Sequence, residues 1–194
     1  KGKSRNFTYK DIVLSQERRA VRKNKKNINI DLSGIAKGYS VDLIAIYLKS
    51  ININNFLINI GGEIKVNKEN DEVFKVSIDD PSGNKQTIED IFLTNEAVAT
   101  SGTYQDFVEY KGEEISHIVN PKKLENISDL SLLVTVIHKD CTTADALATG
   151  LIAMDHDKII NFANSNNIAL MYLRNKDGNL EKKFSKSFIK YLSE

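Results

Sequence analysis

Asp31-Leu32-Ser33-Gly34-Ile35-Ala36-Lys37-Gly38-Tyr39-Ser40-Val41-Asp42 is the stretch around which the chain is organised. Ahead of it Ile28-Asn29-Ile30 reads as a short strand, and behind it Val41, Leu43, Ile44, Tyr47 and Leu48 recur at helical spacing. A strand-to-helix turn is therefore expected, with the helix over 35–50. Gly34 lets the backbone bend without steric cost, and the free N–H groups of the first helical turn then face whatever lies in front of them, as anion sites require. Lys37 falls in that turn, where its charge opposes the helix macrodipole and a carboxylate would serve the helix better. A residue that breaks a local rule is a candidate for function. On pattern alone the stretch reads equally as a phosphate site and as a capped helix whose two glycines permit close packing.

The 194 residues suffice for one sizeable domain, or for two small ones sharing a surface. A hydrophobic content of 41% with 27% charged residues is an ordinary globular balance, which argues against both disorder and a membrane span. The net charge of +1 argues against a dedicated nucleic-acid binder. Charge is unevenly spread, however: ten Lys/Arg against two Asp/Glu precede residue 27, leaving seventeen against twenty-four beyond it. That segment reads as a solvated basic face ahead of a polyanion site. Cys141 is the only cysteine, so an internal disulfide and a zinc ribbon are both excluded. The first ten residues hold neither an apolar signal core nor a lipid-attachment cysteine, and the chain reads as a processed product or a fragment.

Outward from the central stretch, residues 7–14 alternate weakly as a strand and are followed by a basic turn region through Lys26. The run 56–60, ended by Gly61-Gly62, reads as a buried strand. Strands are expected at 64–66 and 73–78 with Asn70-Asp71 between them, then a loop at Asp80-Pro81-Ser82-Gly83. Further strands are expected at 91–93 and 97–100, and 107–110 should pair with 115–119 across Lys111-Gly112. The β-branched run 132–137 is the clearest strand. It leads to a helix over 144–154 with Thr142 or Thr143 as N-cap, a helix over 157–163, a strand over 168–173, and an Asp177-Gly178 hairpin into 180–184. The expected fold is α+β, a mixed and largely antiparallel sheet flanked by helices, in a single continuous unit.

Several residues carry chemistry. Asp145 and Thr149 stand four apart on the second helix, so a carboxylate and a hydroxyl share one face. With a carbonyl they make the hard-oxygen set that suits Mg²⁺, although such a pair also occurs in ordinary helices whose Thr bonds back to its own backbone. His117, in Ser116-His117-Ile118-Val119-Asn120-Pro121, fits either a general base for a hydroxyl proton or a structural histidine. His138 and His156, in polar surroundings, read as structural. Thr100-Ser101-Gly102-Thr103-Tyr104 and Asn59-Ile60-Gly61-Gly62-Glu63 read as ligand loops or plain turns, and Glu63 would hold an amine or face solvent.

Taken in order, Asp31 to Tyr39, Asn59 to Glu63, Ala-Val-Ala-Thr-Ser-Gly at 97–102, His-Ile-Val-Asn-Pro at 117–121 and Thr-Ala-Asp-Ala-Leu-Ala-Thr-Gly at 143–150 resemble the ApbE family of FAD:protein FMN transferases. The resemblance covers nearly everything from Ile28 onward and implies an ApbE-like, T-fold-like domain, of which residues 1–194 are the C-terminal two-thirds. It implies a bacterial enzyme that moves FMN from FAD to a Ser/Thr hydroxyl of an acceptor protein, a redox or quinone-reductase-type subunit, and releases AMP. Carried over by residue, Asp31 and Lys37 contact FAD, Val119 lines the flavin site, and the Gly34 carbonyl, Asp145 and Thr149 hold Mg²⁺. His117 is the base. Asn120 stands where the family usually has Asp. The resemblance also implies an exported, periplasmic or outer-surface lipoprotein, anchored to the membrane through a part preceding Lys1 that adds further FAD contacts. No nucleic acid is expected as a partner, and a homodimer is left open. Two other readings remain: an FAD pyrophosphatase that gives FMN to water, and a flavin-binding module without turnover.

Overall fold

A computed structural model of the chain describes residues 8–69, 72–80, 86–103, 107–110, 113–116, 118–121, 125–127, 132–176 and 179–192. It divides into two compact units, Lys1–Leu32 and Ser33–Glu194.

The first unit holds a 3-10 turn at Tyr9–Asp11 and an antiparallel hairpin of β1 (Ile12–Ser15) and β2 (Ala20–Lys23). The turn is closed at its start by a capping box, in which Thr8 accepts from the Lys10 N–H and Asp11 accepts from the Thr8 N–H at 2.8 Å. The expected basic turn region is thus partly a strand: Arg19, in the left-handed region at φ +45, reverses the chain early enough for Ala20 to Lys23 to pair. Conversely, Ile28-Asn29-Ile30 forms no strand. Three residues of suitable type are not a strand until another backbone takes up their N–H and C=O groups.

The second unit is built on a six-stranded sheet of order β14-β13-β12-β7-β4-β3, antiparallel throughout. Its strands are β3 (Phe56–Ile60), β4 (Glu63–Asn67), β7 (Ala97–Gly102), β12 (Leu132–His138), β13 (Ala169–Lys176) and β14 (Asn179–Phe184). The helices are α1 (Ser33–Ser50), α2 (Cys141–Ile152) and α3 (His156–Ser165). Strand β12 shows why the sheet has two covered faces. Its residues alternate between two cores, Leu132, Val134 and Val136 packing with Ala144, Ala148, Leu151 and Ile159 of the helices, and Leu133 and Ile137 packing with Val76, Ile78, Ile91 and Leu93. The last four belong to a separate hairpin, β5 (Phe74–Asp79) with β6 (Thr87–Leu93), so the layers run helices, sheet, hairpin. A continuous apolar run is the signature of a strand buried on both sides.

Two further ribbons lie outside the main sheet: β8 (Phe107–Tyr110) with β9 (Glu113–Ser116), and β10 (Val119–Asn120) with β11 (Glu125–Asn126). The expected strand over 115–119 is therefore split between two ribbons, and β11 was not foreseen. Expected turns at 70–71, 111–112 and 177–178 lie outside the described residues, although β13 and β14 do pair up to Lys176 and Asn179. Helix α1 starts at Ser33 and buries Gly38, Val41 and Ala45, while Leu43, Ile44 and Tyr47 are exposed. No described helix is long and apolar enough to cross a membrane.

Candidate functional site

Helices α1 and α2 run against each other in opposite directions, and the residues at the crossing follow in strict order. Gly34 faces Thr149, Gly38 faces Asp145 and Cys141, and Asp42 reaches the start of α2. Glycine is what permits the approach. A Cβ on Gly38 would stand 2.4 Å from the Cys141 carbonyl oxygen and 2.8 Å from Asp145 Cβ, and one on Gly34 would stand 2.7 Å from Thr149 Cγ2. The Gly34-x-x-x-Gly38 spacing puts both gaps on one face of α1. Close packing and proximity to Asp145 and Thr149 are thus two results of the same pair of missing side chains.

Asp145 is 3% exposed, and its Oδ2 accepts the Gly38 N–H at 2.9 Å. In a regular helix that N–H is directed at the Gly34 carbonyl, so Asp145 competes for it. Thr149 Oγ1 lies 3.2 Å from Ser101 Oγ at the end of β7. Beside them Glu63, 1% exposed, stands with Oε2 2.8 Å from Lys37 Nζ, a charge contact that is off the direction of an aligned hydrogen bond. Burial pushes the Glu63 carboxyl up; Lys37 opposes this, and the nearby charge of Asp145 adds to it. Among the described residues no three His, Cys, Asp or Glu side chains gather as a metal site. The oxygens at the crossing, one carboxylate, one hydroxyl and a backbone carbonyl, are of the hard kind that suits a cation keeping part of its water shell.

Of the residues singled out in the sequence, the structure brings together Gly34, Lys37, Asp145 and Thr149. Asp31 belongs to the first unit and is exposed. Val119 is 39% exposed on β10. His117 lies outside the described residues.

The cap of α2 is a correction. Neither Thr142 nor Thr143 is the N-cap: Asp140 occupies that position without a side-chain bond, and the free donors of the first turn go to Asp42 of α1. Its Oδ2 accepts from the Thr142 N–H at 2.8 Å and the Thr142 hydroxyl at 2.7 Å, and its Oδ1 from the Cys141 N–H at 3.1 Å and Lys65 Nζ at 2.9 Å. A cap supplied from 99 residues away in sequence leaves no local motif to read. The only sign was an acidic residue eight positions after Gly34 on the same helical face. Burial tends to raise the Asp42 carboxyl, but the Thr142 amide and hydroxyl, Lys65 and the Cys141 amide together hold it below the ordinary value of 3.8. A depressed carboxylate contributes stability that is present above 3.8 and lost as pH falls through the folded value. Asp42→Asn is accordingly expected to cost about 2 kcal/mol at pH 7, and to flatten the acid limb of the stability curve below pH 4. Urea midpoints across pH 3–7 check both.

The sequence profile of the ApbE family matches residues 2–172. The chain belongs to the ApbE family. The FAD:protein FMN transferase of Vibrio cholerae is 35% identical over 184 residues, covering 93% of this chain and 55% of the relative. That of Haemophilus influenzae is 32% identical, covering 92% and 53%. The structure of the V. cholerae flavin transferase ApbE superposes with a TM-score of 0.79 at 34% identity over 95% of this chain and 59% of that one. The ApbE protein of Thermotoga maritima gives 0.83 at 28% identity, over 96% and 60%. The chain spans about half the length of the curated relatives it matches. An α+β domain on an antiparallel sheet is thus the fold of an ApbE protein, as the sequence led us to expect.

Proposed function

We propose that this ApbE-family chain takes part in moving FMN from FAD to a Ser/Thr hydroxyl of an acceptor protein, with release of AMP. The observation that carries the reading is the convergence of Gly34, Asp145 and Thr149 at the α1–α2 crossing, with Lys37 beside them. Asp145, Thr149 and the Gly34 carbonyl would hold Mg²⁺, which supplies neutralisation of pyrophosphate charge when bound. Lys37 adds a cation for the same phosphates. The acceptor's hydroxyl oxygen forms a bond to the flavin-side phosphorus, the bridging P–O bond to the AMP half breaks, and the hydroxyl proton passes to His117. The role of His117 rests on the family resemblance. A carrier that only held flavin would have no need of a metal pair and a base, which favours turnover.

The test is incubation with FAD, Mg²⁺ and an acceptor peptide bearing an exposed Thr in a Ser/Thr-Gly-Ala-Thr-like segment. Flavin fluorescence that stays with the denatured acceptor, alongside AMP, is the expected result. AMP and free FMN without labelled acceptor would make the protein a pyrophosphatase, and neither product would make it a binding module. His117→Ala is expected to bind FAD with parental affinity and to release AMP about 10²-fold more slowly. Release at the parental rate would remove His117 as the base.

A further inference from the structure

Glu63 is the most deeply buried carboxylate among the described residues, and neither the metal set nor the proton transfer uses it. A buried charge is costly to keep unless a partner holds it. Its partner here is asymmetric: Lys37 is 48% exposed while Glu63 is 1% exposed, so one end of the pair is anchored in the core and the other meets solvent. The lysine stem runs beside a turn that leaves room for it. Its Cδ passes 3.6 Å from where a Cβ would stand on Gly61, at φ +60, in the two-residue turn Gly61-Gly62 that joins β3 to β4. Asn59 Oδ1 fixes that turn by accepting the Gly62 N–H at 3.0 Å. The carboxylate, past a turn without side chains, holds the ammonium at the end of α1 where Gly34 and Gly38 meet Thr149 and Asp145.

We propose that Glu63 is a positioning residue: it fixes the Lys37 ammonium beside the α1–α2 crossing so that the cation meets the FAD pyrophosphate already ordered. The inference rests on the function proposed above. A free lysine loses the rotamer freedom of a four-carbon stem when it grips a phosphate, and a held one has lost it on folding. Glu63 also offsets part of the positive charge that Lys37 offers an anion. Water screens that second effect at a half-exposed ammonium but leaves the stem's entropy untouched, so preorganisation wins.

FAD titrated into the 194-residue protein with Mg²⁺, followed by flavin fluorescence and by thermal melting, tests this on Glu63→Gln, Lys37→Met and the double variant. Glu63→Gln is expected to weaken FAD binding about tenfold with the melting temperature unchanged or raised, since an amide is easier to bury than a charge. Lys37→Met should weaken FAD at least as much and lower the melting temperature, because it strands the buried carboxylate. The double variant should regain the melting temperature and bind FAD no worse than Lys37→Met. Parental or tighter binding by Glu63→Gln, or a further tenfold loss when it is added to Lys37→Met, overturns the proposal. A parent protein that binds no FAD overturns the proposed function with it; binding by the parent with an unaffected Glu63→Gln overturns this inference alone.

Discussion

Asp145→Asn is expected to lower Mg²⁺-dependent AMP release from FAD by about 10³-fold, equivalent to about 4 kcal/mol of transition-state stabilisation. The substitution separates two tasks of one side chain. Asp145 Oδ2 accepts the Gly38 N–H at 2.9 Å, and an amide oxygen can keep that bond. The carboxylate charge, buried at 3% exposure and one helical turn from Thr149, is the one left among the described residues to draw a cation here, since the neighbouring carboxylates Glu63 and Asp42 are engaged by Lys37 and by the start of α2. Folding should therefore survive where metal dependence does not. Asp145→Ala removes both, and is expected to match the loss of turnover and to lower the melting temperature as well. Initial rates against Mg²⁺ concentration, with melts of the same samples, make the comparison. Turnover at the parental rate in both variants would remove Asp145 from the proposed metal ligands and leave the α1–α2 crossing as packing alone.

Gly38→Ala is expected to cost about 3 kcal/mol or more, at the upper end of what overpacking does. In an isolated helix the same change would stabilise by close to 1 kcal/mol, so the sign is set entirely by the neighbour. The new methyl would lie 2.4 Å from a backbone carbonyl oxygen, that of Cys141, and backbone cannot swing aside as a side-chain end can. The helices must part, and with them Gly34 and Thr149. Gly150→Ala is the control: it lies in α2 with nothing within 4 Å of the added Cβ, and a gain of about 0.5–1 kcal/mol is expected. Denaturant midpoints for the pair decide. A neutral Gly38→Ala would mean that the two helices are not held at this distance.

Much of the site could be read from order and spacing. Asp145 and Thr149 are one turn apart whatever the rest of the chain does, because α-helical geometry alone puts positions four apart on one face. Gly34 and Gly38 could be read as gaps for close packing, but Gly34 equally as the bend ahead of the helix; α1 starts at Ser33, so Gly34 lies within it and faces the Thr149 side chain. What those two stripes face was not legible. That Gly38 donates to Asp145 and Gly34 abuts Thr149 depends on α1 and α2 packing antiparallel, over separations of more than a hundred residues. Asp42 was hidden for the same reason, since a single acidic residue fits an exposed surface and only packing makes it the cap of α2; Glu63 was legible as a holder of an amine or a solvent-facing residue, and packing decides for the amine, that of Lys37.

Local sequence also determined most of the strands and the place of all three helices, through alternation and helical spacing; in α1, however, Leu43, Ile44 and Tyr47 of the spaced apolar set stay exposed, and the buried face is Gly38, Val41 and Ala45. It did not determine Ile28 to Ile30 or Ala20 to Lys23, where pairing rather than composition decides whether a strand exists. Residue types thus fixed the inventory of hard oxygens, cations and gaps, since those are properties of single side chains. Tertiary structure decided which of them meet, since burial and hydrogen bonding belong to neighbours in space.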